Sequence, residues 1–502
     1  MALSKAAACL TVALILAPAQ YGSAQSAPQS PPQSVPAQTP PQAPPVAQPK
    51  PEPAAPQTGR KKRTPRTSKR QPSAPATGSF EQTQTSRDGG PMRQELTFAA
   101  NVLGGYDDNL TAGLGTGTGT APTAMASGSG ASLDGTLAYF RGNTLRSIRM
   151  DSTGTLTAYP GYLDSPAPGG VVNVAARTTV GRDTTFGASE RVGYEPFFNA
   201  FSQGASGAPL PPGTGPGGTV PAAGLFERRS WNSGTSVSLD RRWGRSAATS
   251  LGYAYRRQEF TEDDYGDNTS HNVNAGYRHR LAAGVRARAD YRYQALDYTD
   301  SASANRPTRD HRIEAGPEME KQLSRRRSLS LSLAAGAGYI VSAASATRQA
   351  YDAWVPMGSA RLRLTLSPTG YVESEYRRDF SLFQGVTDEV YTTDTAYVRT
   401  GATLTSRLHL MLGATYSNWK TPVASGVYDT LNVYGASLQA RVKLTETVAA
   451  TAGYYYYYHR YSNPGNLPAG FPAEYDRNAV RVGLTVWVPL VGTSPRPPLT
   501  QR

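Results

Sequence analysis

The chain has 502 residues and a formal net charge of +14, and its length suits several soluble domains or one large β-barrel. Apolar residues make up only 38% of it, whereas glycine (50), proline (39) and tyrosine (29) are abundant. No stretch beyond the N-terminus reaches about 18 consecutive apolar residues, so the composition argues against a polytopic helical membrane protein as well as a helical bundle.

The first 24 residues have the features of a cleaved secretory signal. Lys5 supplies a positive charge, a short apolar run occupies residues 6–17, and small residues precede a cleavage site after Ala24. A membrane anchor is the alternative, but the apolar run is short and a polar segment follows it. The single cysteine, Cys9, lies within this signal. The mature chain is therefore expected to have no disulfide, no thiol nucleophile and no cysteine metal ligand.

Residues 25–93 form a proline-rich segment for which we expect disorder or an extended conformation, because proline fixes φ and lacks a backbone donor. Residues 1–88 contain 10 Lys and Arg and 3 Asp and Glu, which is +7 of the total +14. Most of these basic residues form one patch: Arg60, Lys61, Lys62, Arg63, Arg66, Lys69 and Arg70. In an exported protein we expect the patch to contact a cell-wall polymer or lipid head groups rather than nucleic acid, with a solvated spacer as the alternative.

A different pattern begins at residue 94 and continues to residue 490. Segments of roughly 10 to 14 residues alternate apolar and polar side chains, which is the period of a β-strand with two different faces. Residues 328–341, for example, place leucine at positions 329, 331 and 333 and serine at positions 328, 330 and 332. A soluble β-sandwich also alternates in this way. The signal sequence, the abundant tyrosine and the number of segments together favour an antiparallel transmembrane β-barrel.

The predicted all-β domain contains 18 strands, with 16 as the alternative. The predicted strands are residues 95–106, 131–141, 146–158, 171–181, 184–194, 230–242, 247–260, 269–281, 285–298, 309–323, 328–341, 353–366, 371–383, 393–405, 407–419, 431–444, 447–460 and 477–488. Tight turns alternate with longer loops, as expected for an up-and-down barrel with short periplasmic turns and long outer loops. An even number of strands returns both chain ends to the periplasm, and residues 491–502 follow as a C-terminal tail.

Charged residues recur on the polar face of these strands, which we expect to line the lumen. They are Arg286, Arg288, Asp290, Arg292, Glu314, Glu318, Glu320, Arg361, Arg363, Glu373, Glu375, Arg377, Asp379, Arg441 and Lys443. Eighteen strands about 4.8 Å apart and tilted by about 40° close at a backbone radius of roughly 18 Å, which side chains cannot fill. The sequence therefore predicts a porin-like channel for polar or anionic solutes. The alternative is that these charged residues only pair with one another along the barrel wall and do not act on a solute.

Three places fit the alternating pattern poorly. Arg378 falls on the apolar face of its strand, where a bulge or the membrane boundary would accommodate it. Pro317 interrupts the 309–323 strand and removes a ladder donor. The 184–194 strand places Glu190 on the same face as apolar residues.

No constellation of residues indicates catalysis. Ser270, His271 and Asn272 have the composition of a hydrolase-like trio, but adjacent residues on one strand point to opposite faces and do not converge. No residue spacing predicts a metal site, and the glycine-rich run at residues 113–119 lies in a loop without a following helix. We therefore expect no cofactor and no enzymatic activity, with an outer-membrane barrel enzyme as a remote alternative.

The last strand resembles the outer-membrane assembly signal. It has a polar residue, a glycine two positions later and alternating apolar residues near its end, namely Arg481, Gly483, Val486 and Val488. This resemblance implies insertion by the barrel assembly machinery. The chain departs from the usual pattern in continuing for 14 residues after Val488.

The first strand and its exit, residues 98–110, read FAANVLGGYDDNL. The G-Y-D-D-N motif at residues 105–109 resembles the β-barrel porin type 2 family, in which a similar motif follows the first strand. The alternating strand pattern of the family extends over residues 94–490 of this chain. The resemblance implies an outer-membrane barrel, and because some members accompany exopolysaccharide or capsule export, it also implies a link to an anionic polysaccharide.

The resulting hypothesis is a channel in the outer membrane of a Gram-negative cell, surrounded by outer-membrane lipid. A second hypothesis is a structural anchor whose basic N-terminal segment tethers the barrel to cell wall or lipid head groups. Deleting residues 25–88 separates the two hypotheses, because a tether should fail whereas a pore should still conduct.

Overall fold

The computed structural model describes ten segments of the chain. They are residues 92–109, 127–160, 165–196, 229–261, 267–299, 305–343, 350–382, 390–421, 429–462 and 473–492. The predicted signal sequence, the proline-rich segment up to residue 91 with its basic patch, and the predicted tail beyond residue 492 lie outside the described residues. Within these ten segments, no helix has the length and apolar character needed to cross a bilayer.

Eighteen β-strands form one antiparallel sheet that closes on itself. They are β1 Arg93–Asp107, β2 Gly128–Gly142, β3 Arg146–Ala158, β4 Ala167–Val180, β5 Thr184–Glu195, β6 Ser230–Trp243, β7 Ala247–Phe260, β8 Asn268–Ala282, β9 Val285–Thr299, β10 Asn305–Ser324, β11 Arg327–Ser342, β12 Tyr351–Ser367, β13 Gly370–Leu382, β14 Val390–Thr403, β15 Leu408–Thr421, β16 Asp429–Lys443, β17 Val448–Tyr461 and β18 Glu474–Val491. Each strand pairs with the next along the chain, and β18 pairs with β1 to complete the ring. The prediction of an 18-stranded up-and-down barrel is therefore confirmed.

Several strands extend beyond their predicted bounds, and β10 shows why. The sequence predicts residues 309–323, but the strand begins at Asn305, which pairs with Thr299 of β9. The ladder continues there because the neighbouring strand supplies hydrogen bonds even where the side-chain alternation fades. Within β10 the pairing with β11 omits Pro317, which lacks the amide hydrogen that a ladder needs.

The two ends of the barrel differ in their connections. At one end, which we call the turn end, connections of two to four residues join consecutive strands. Gly181, Gly244 and Gly284 in three of these turns have φ values of 69°, 68° and 75°, which residues with a Cβ rarely adopt. The connections at the opposite end, the loop end, are longer. Met92 and Gly492 both lie at the turn end, so the barrel begins and ends on the same side.

One face of the sheet is apolar and exposed. On β18 this face consists of Val480, Val482, Leu484, Val486 and Val488. The intervening residues on the other face include the buried side chains of Arg477 and Trp487. Exposed large apolar residues recur at alternate positions on the other strands. The closed sheet thus has an apolar outer surface, as a barrel wall in lipid requires.

Aromatic side chains contact one another on the outer surface towards the loop end. The ring centroids of Tyr416 and Tyr434 are 5.0 Å apart, and those of Tyr434 and Tyr458 are 5.8 Å apart. Tyr339 and Trp354 have centroids 5.0 Å apart. Tyrosine and tryptophan are enriched at membrane interfaces because each has an apolar body and a polar atom. This placement is the one expected of an aromatic girdle.

The polar residues on the outer surface have partners there. Arg378 does project outwards, and its Nε lies 3.7 Å from Asp394 Oδ1. Tyr376 donates a hydrogen bond of 2.7 Å to the same carboxylate. On β5, Glu190 also faces outwards and accepts a hydrogen bond of 2.5 Å from the Thr235 hydroxyl. Partner formation of this kind lowers the cost of polar groups on an apolar surface.

Candidate functional site: the inner face of the barrel

The inner face is where polar side chains from different strands meet. Arg312 on β10 contacts Asp379 on β13, and Arg288 on β9 donates a hydrogen bond of 3.1 Å to Ser359 Oγ on β12. Both contacts pass over intervening strands, as the concave side of a closed sheet permits. The polar faces of the strands therefore share one interior.

The residues that the sequence predicts to line the lumen lie on this face. On β9 and β10 they are Arg286, Arg288, Asp290, Arg292, Glu314, Glu318 and Glu320; on β12 and β13 they are Arg361, Arg363, Glu373, Glu375, Arg377 and Asp379; and on β16 they are Arg441 and Lys443. Most members on β9–β13 take part in ion pairs, namely Arg288, Asp290, Glu318, Arg361, Arg363, Glu373, Glu375, Arg377 and Asp379. Arg286, Arg292 and Glu320 form none within the described residues. The two on β16 lie apart: Arg441 donates to Thr485 Oγ1 at 3.2 Å, and Lys443 pairs with Glu446 at 2.6 Å.

Glu373 is the centre of one network, and its side chain is 0% exposed. It accepts hydrogen bonds from Arg361 Nη2 at 2.6 Å and Arg399 Nη2 at 3.2 Å. The Tyr397 hydroxyl donates at 2.9 Å, and Arg363 Nη1 lies 3.9 Å away. Three guanidinium groups thus share one buried carboxylate, which holds β12, β13 and β14 together from the inside.

Asp379 is the centre of a second network. It accepts a hydrogen bond of 2.9 Å from Arg377 Nε and another from Arg312. Arg312 in turn donates to both carboxylate oxygens of Asp310, at 2.9 and 2.7 Å. Asp379, Asp310 and Arg312 are all buried. The group pairs two guanidinium groups with two carboxylates and is therefore neutral.

A third group, on β4–β9, consists almost entirely of arginine, and most of it was not singled out from the sequence. We call it the arginine arc: Arg177, Arg191, Arg242, Arg256, Arg278, Arg280, Arg286, Arg288 and Arg292. The described inner side chains of these six strands include only three carboxylates, those of Glu195, Asp240 and Asp290. Nine positive charges against three negative ones leave an excess of six.

The register places arginines directly opposite one another within the arc. Arg280 faces Arg286, and Arg278 faces Arg288, across β8 and β9. Like charges at directly opposite positions destabilise a sheet. Glu318 of β10 lies 3.7 Å from Arg278 Nε and 3.8 Å from Arg288 Nη1 and so relieves the repulsion in that pair. Arg280 and Arg286 have no such carboxylate among the described residues, and a negatively charged group held between them would relieve their repulsion. The arc is therefore the part of the wall whose charge is best suited to an anion in the lumen.

The wall formed by β10–β14 has a different charge balance. Its described inner side chains comprise five arginines and seven carboxylates, most of them in the two networks centred on Glu373 and Asp379. In the arc, by contrast, Arg256, Arg286 and Arg292 form no ion pair with any residue in the described segments. Uncompensated positive charge is thus concentrated on one side of the interior.

A further polar group closes the ring between β1 and β18 at the loop end. The Asp107 side chain is 0% exposed, and the single N–H of Arg477 Nε is shared between its two carboxylate oxygens, each 2.9 Å away. Arg481 Nη2 lies 3.5 Å from the same carboxylate. We call this group, with its neighbours, the closure cluster: Asp107, Asp108, Asn109, Tyr475, Arg477 and Asn478. The first and last strands are therefore joined by a buried ion pair as well as by backbone hydrogen bonds.

The other motif residues also bind β18. The Tyr475 hydroxyl donates to the Asn109 carbonyl at 2.5 Å, and Asn109 Nδ2 donates to the Asp476 carbonyl at 2.7 Å. Asn478 donates to the Asp108 carboxylate through its backbone N at 2.6 Å and its Nδ2 at 2.7 Å. All three polar residues of the G-Y-D-D-N motif thus hold the last strand. The motif has a structural role in this barrel.

Tyr159 lies beside the closure cluster, in the connection that follows β3. Burial raises the pKa of its phenol, while the nearby Arg481 lowers it by a smaller amount. A Cβ at Gly130 would collide with the Tyr159 ring, so glycine allows the ring to lie against β2. The phenol therefore stays protonated at neutral pH.

The residues of the predicted assembly signal divide between the two faces of β18. Arg481 faces inwards, whereas Val486 and Val488 are exposed on the outer surface. A Cβ at Gly483 would collide with the Val102 carbonyl oxygen of β1. Glycine therefore permits the close approach of the first and last strands. Recognition of these residues by the assembly machinery stays a prediction.

The histidine-centred trio does not come together. The ring of His271 lies on the outer surface, where the Tyr253 hydroxyl is 2.9 Å from its Nδ1. Ser270 and Asn272 point to the inner face, as alternation along β8 requires. Within the described segments, no group of three or more His, Cys, Asp and Glu residues is arranged to hold a metal ion.

Sequence reasoning missed the rest of the arc and the partners in the closure cluster. Arg177, Arg191 and Arg256 occupy polar positions of alternating strands, so the period-two pattern applied to β4–β8 would have identified them. Arg477 lies 370 residues from Asp107 in the chain. No local pattern connects these two residues.

Comparison with known proteins found no matching family model and no matching curated protein. Solved structures with some similarity include the FrpB iron transporter (F5-1 variant) from Neisseria meningitidis, at 9% identity and a TM-score of 0.43, which covers 80% of this chain and 83% of that chain. OccK2 (OpdF) from Pseudomonas aeruginosa has 10% identity and a TM-score of 0.42 and covers 80% and 98%. The ferric citrate transporter FecA has 12% identity and a TM-score of 0.41, and the match spans 77% of this chain but only 64% of FecA. Likeness at this level assigns neither a family nor a function, so the functional argument depends on the geometry of the barrel.

Proposed function

We propose that the protein is an outer-membrane channel that passes polar solutes and prefers anions. The single observation that carries this proposal is the arginine arc, whose nine arginines exceed the carboxylates on the inner face of the same strands by six and include the unpaired, directly opposed Arg286. A lumen lined on one side by an excess of guanidinium groups raises the local concentration of anions and lowers that of cations. The networks on β10–β14 stabilise the opposite part of the wall without adding net positive charge.

The membrane location is part of the same proposal. The outer surface carries exposed apolar residues on alternate positions, and aromatic pairs lie towards the loop end, as expected of a wall surrounded by lipid. Short connections at the turn end correspond to the periplasmic side of such barrels. We therefore place the turn end, and with it Met92 and Gly492, in the periplasm.

The anion preference is tested by replacing the three arc residues that lack an ion pair. The triple variant Arg256→Gln, Arg286→Gln and Arg292→Gln should lower the chloride-to-potassium permeability ratio about threefold, because three charges leave the lumen while its shape stays the same. The measurement is the reversal potential of single channels in a planar bilayer under a potassium chloride gradient.

A matched variant removes three positive charges outside the lumen: Arg229→Gln, Lys420→Gln and Arg460→Gln. Its permeability ratio should equal that of the unmodified channel. An unmodified channel that favours potassium, or a triple arc variant without any change, would contradict the proposed selectivity.

A link to exopolysaccharide export remains a narrower proposal. It is supported only by the resemblance of the G-Y-D-D-N motif, and the closure cluster accounts for that motif without reference to any cargo. The arc nevertheless has the charge needed to attract an anionic polysaccharide. Block of single-channel current by an anionic polysaccharide, and not by a neutral one of equal size, would support this link.

A tether is the second candidate, and the basic patch at Arg60–Arg63 favours it. Because the described chain starts at the turn end, residues before Met92 join the barrel on the side that we place in the periplasm. Deleting residues 25–88 should abolish co-sedimentation with peptidoglycan sacculi if the segment is a tether, and should leave conductance unchanged if the barrel is a channel. Loss of conductance on deletion would contradict the assignment of conductance to the barrel and of tethering to the basic segment.

A further inference from the structure

The turn end of the barrel carries a concentration of exposed positive charge. We call it the basic rim: Arg93, Arg141, Arg146, Arg182, Arg241, Arg245, Lys321, Arg325, Arg326, Arg327 and Arg407. Only Asp183, Glu320 and Glu446 are exposed acidic residues among those described at this end. At the loop end the described exposed charges are balanced, with four basic and four acidic residues: Arg229, Arg257, Lys420, Arg460, Asp108, Asp352, Glu474 and Asp476. The asymmetry along the barrel axis is therefore strong.

Large apolar side chains lie between these basic residues. Four turns at this end each have one of them within three residues of a basic rim residue in the chain, with exposed fractions between 48% and 63%. They are Val180, Trp243, Leu323 and Leu404. A surface that binds a water-soluble polyanion would not require exposed leucine and valine side chains. Alternating apolar and cationic groups instead match a boundary at which acyl chains end and phosphate groups begin.

The β6–β7 turn shows the arrangement most clearly. The Arg241 guanidinium lies over the Trp243 ring, with its Cζ 4.0 Å from the ring centroid. Trp243 Nε1 donates to Thr249 Oγ1 at 3.0 Å, which fixes the indole. Arg245 follows two residues later and is exposed. The indole thus supports one cation on the outer surface, and a second cation projects from the turn.

We propose that the basic rim binds the phosphate head groups of anionic phospholipids in the leaflet at the turn end. Each of these four hairpins inserts its apolar side chain among acyl chains and directs arginine or lysine to a phosphate. Neighbouring hairpins are roughly 12 Å apart around the wall, so each of the four contacts a separate lipid. This inference rests on the membrane location given under the proposed function, and not on conductance.

The test compares lipid binding to the full chain in detergent micelles by native mass spectrometry. Phosphatidylglycerol, phosphatidylethanolamine and phosphatidylcholine with identical acyl chains are titrated separately. Phosphatidylglycerol should bind about tenfold more tightly than phosphatidylcholine, because the ammonium of a zwitterionic head group cancels much of the attraction. In the variant Arg182→Gln, Arg245→Gln and Arg325→Gln this preference should fall to about twofold or less.

The matched control is the loop-end variant Arg229→Gln, Lys420→Gln and Arg460→Gln, which loses the same charge and should keep the full preference. No head-group preference in the unmodified protein, or equal losses in both variants, would overturn the proposal. So would binding to peptidoglycan sacculi that depends on the rim arginines in the absence of a lipid preference, since that result assigns the rim to a polymer.

Inorganic phosphate added as a competitor distinguishes a free-ion site from a lipid site. Displacement of phosphatidylglycerol by millimolar phosphate would contradict a site that also uses the apolar side chains. A barrel that does not conduct but keeps its lipid preference would contradict the proposed channel and leave the lipid site intact. The experiment therefore distinguishes failure of the channel proposal from failure of the lipid proposal.

Discussion

Replacing Asp107 with asparagine should lower the free energy of unfolding of the barrel by about 3 kcal/mol. The substitution keeps the size of the side chain but leaves the Arg477 guanidinium buried without its counter-charge. Removing one partner of a buried ion pair typically costs about 3–5 kcal/mol because the remaining charge is desolvated and unpaired. Denaturant titration of the folded barrel in detergent micelles, followed by tryptophan fluorescence, measures this loss.

An exposed ion pair on β3 provides the control. Arg149 Nε lies 2.6 Å from Asp151 Oδ2, with 54% and 25% of the two side chains exposed. Asp151→Asn should therefore cost less than about 1 kcal/mol. The double variant Asp107→Asn with Arg477→Met should recover part of the stability, since no buried charge remains. Equal, small losses for Asp107→Asn and Asp151→Asn would show that the closure cluster does not hold the ring together.

Replacing Glu373 with glutamine should have two effects at once. Arg361, Arg363 and Arg399 would lose their shared carboxylate, which should reduce the free energy of unfolding by about 3 kcal/mol. The same change adds one uncompensated positive charge to the lumen. The chloride-to-potassium permeability ratio of the surviving channels should therefore rise.

Glu320→Gln separates the two effects. Glu320 lies on the same inner face but is exposed and has no ion-pair partner among the described residues. This variant should change stability by no more than about 0.5 kcal/mol while altering the lumen charge by the same amount. If Glu373→Gln proved as stable as Glu320→Gln, the network would contribute charge to the lumen without stabilising the wall.

Together the two buried networks and the closure cluster explain how a barrel with many charged inner residues can hold its shape. Carboxylates such as Glu373 and Asp379 bind arginines from several strands and link them on the inside. The arc on β4–β9 has few such carboxylates. The structure thus separates a part of the wall that is stabilised by ion pairs from a part with an excess of positive charge.

Strand number, strand order and the facing of side chains follow from the sequence. Residues 328–341 show this, because alternating leucine and serine predict both the strand and which face meets lipid. Even Arg378, which breaks the alternation, was expected on the outer surface and is found there. Its partner Asp394 was not foreseen, because that residue lies on the neighbouring strand and only the register brings the two side chains together.

The sequence by itself determined that this chain forms a wide barrel with a polar interior, since period-two alternation and short turns are local properties that each hairpin expresses independently. Only the tertiary structure decided which charges neutralise one another. Asp107 meets Arg477 because the ring closes across 370 residues, and Arg278 faces Arg288 because of the register of β8 and β9. Closure and register depend on all 18 strands together, and no segment encodes them alone.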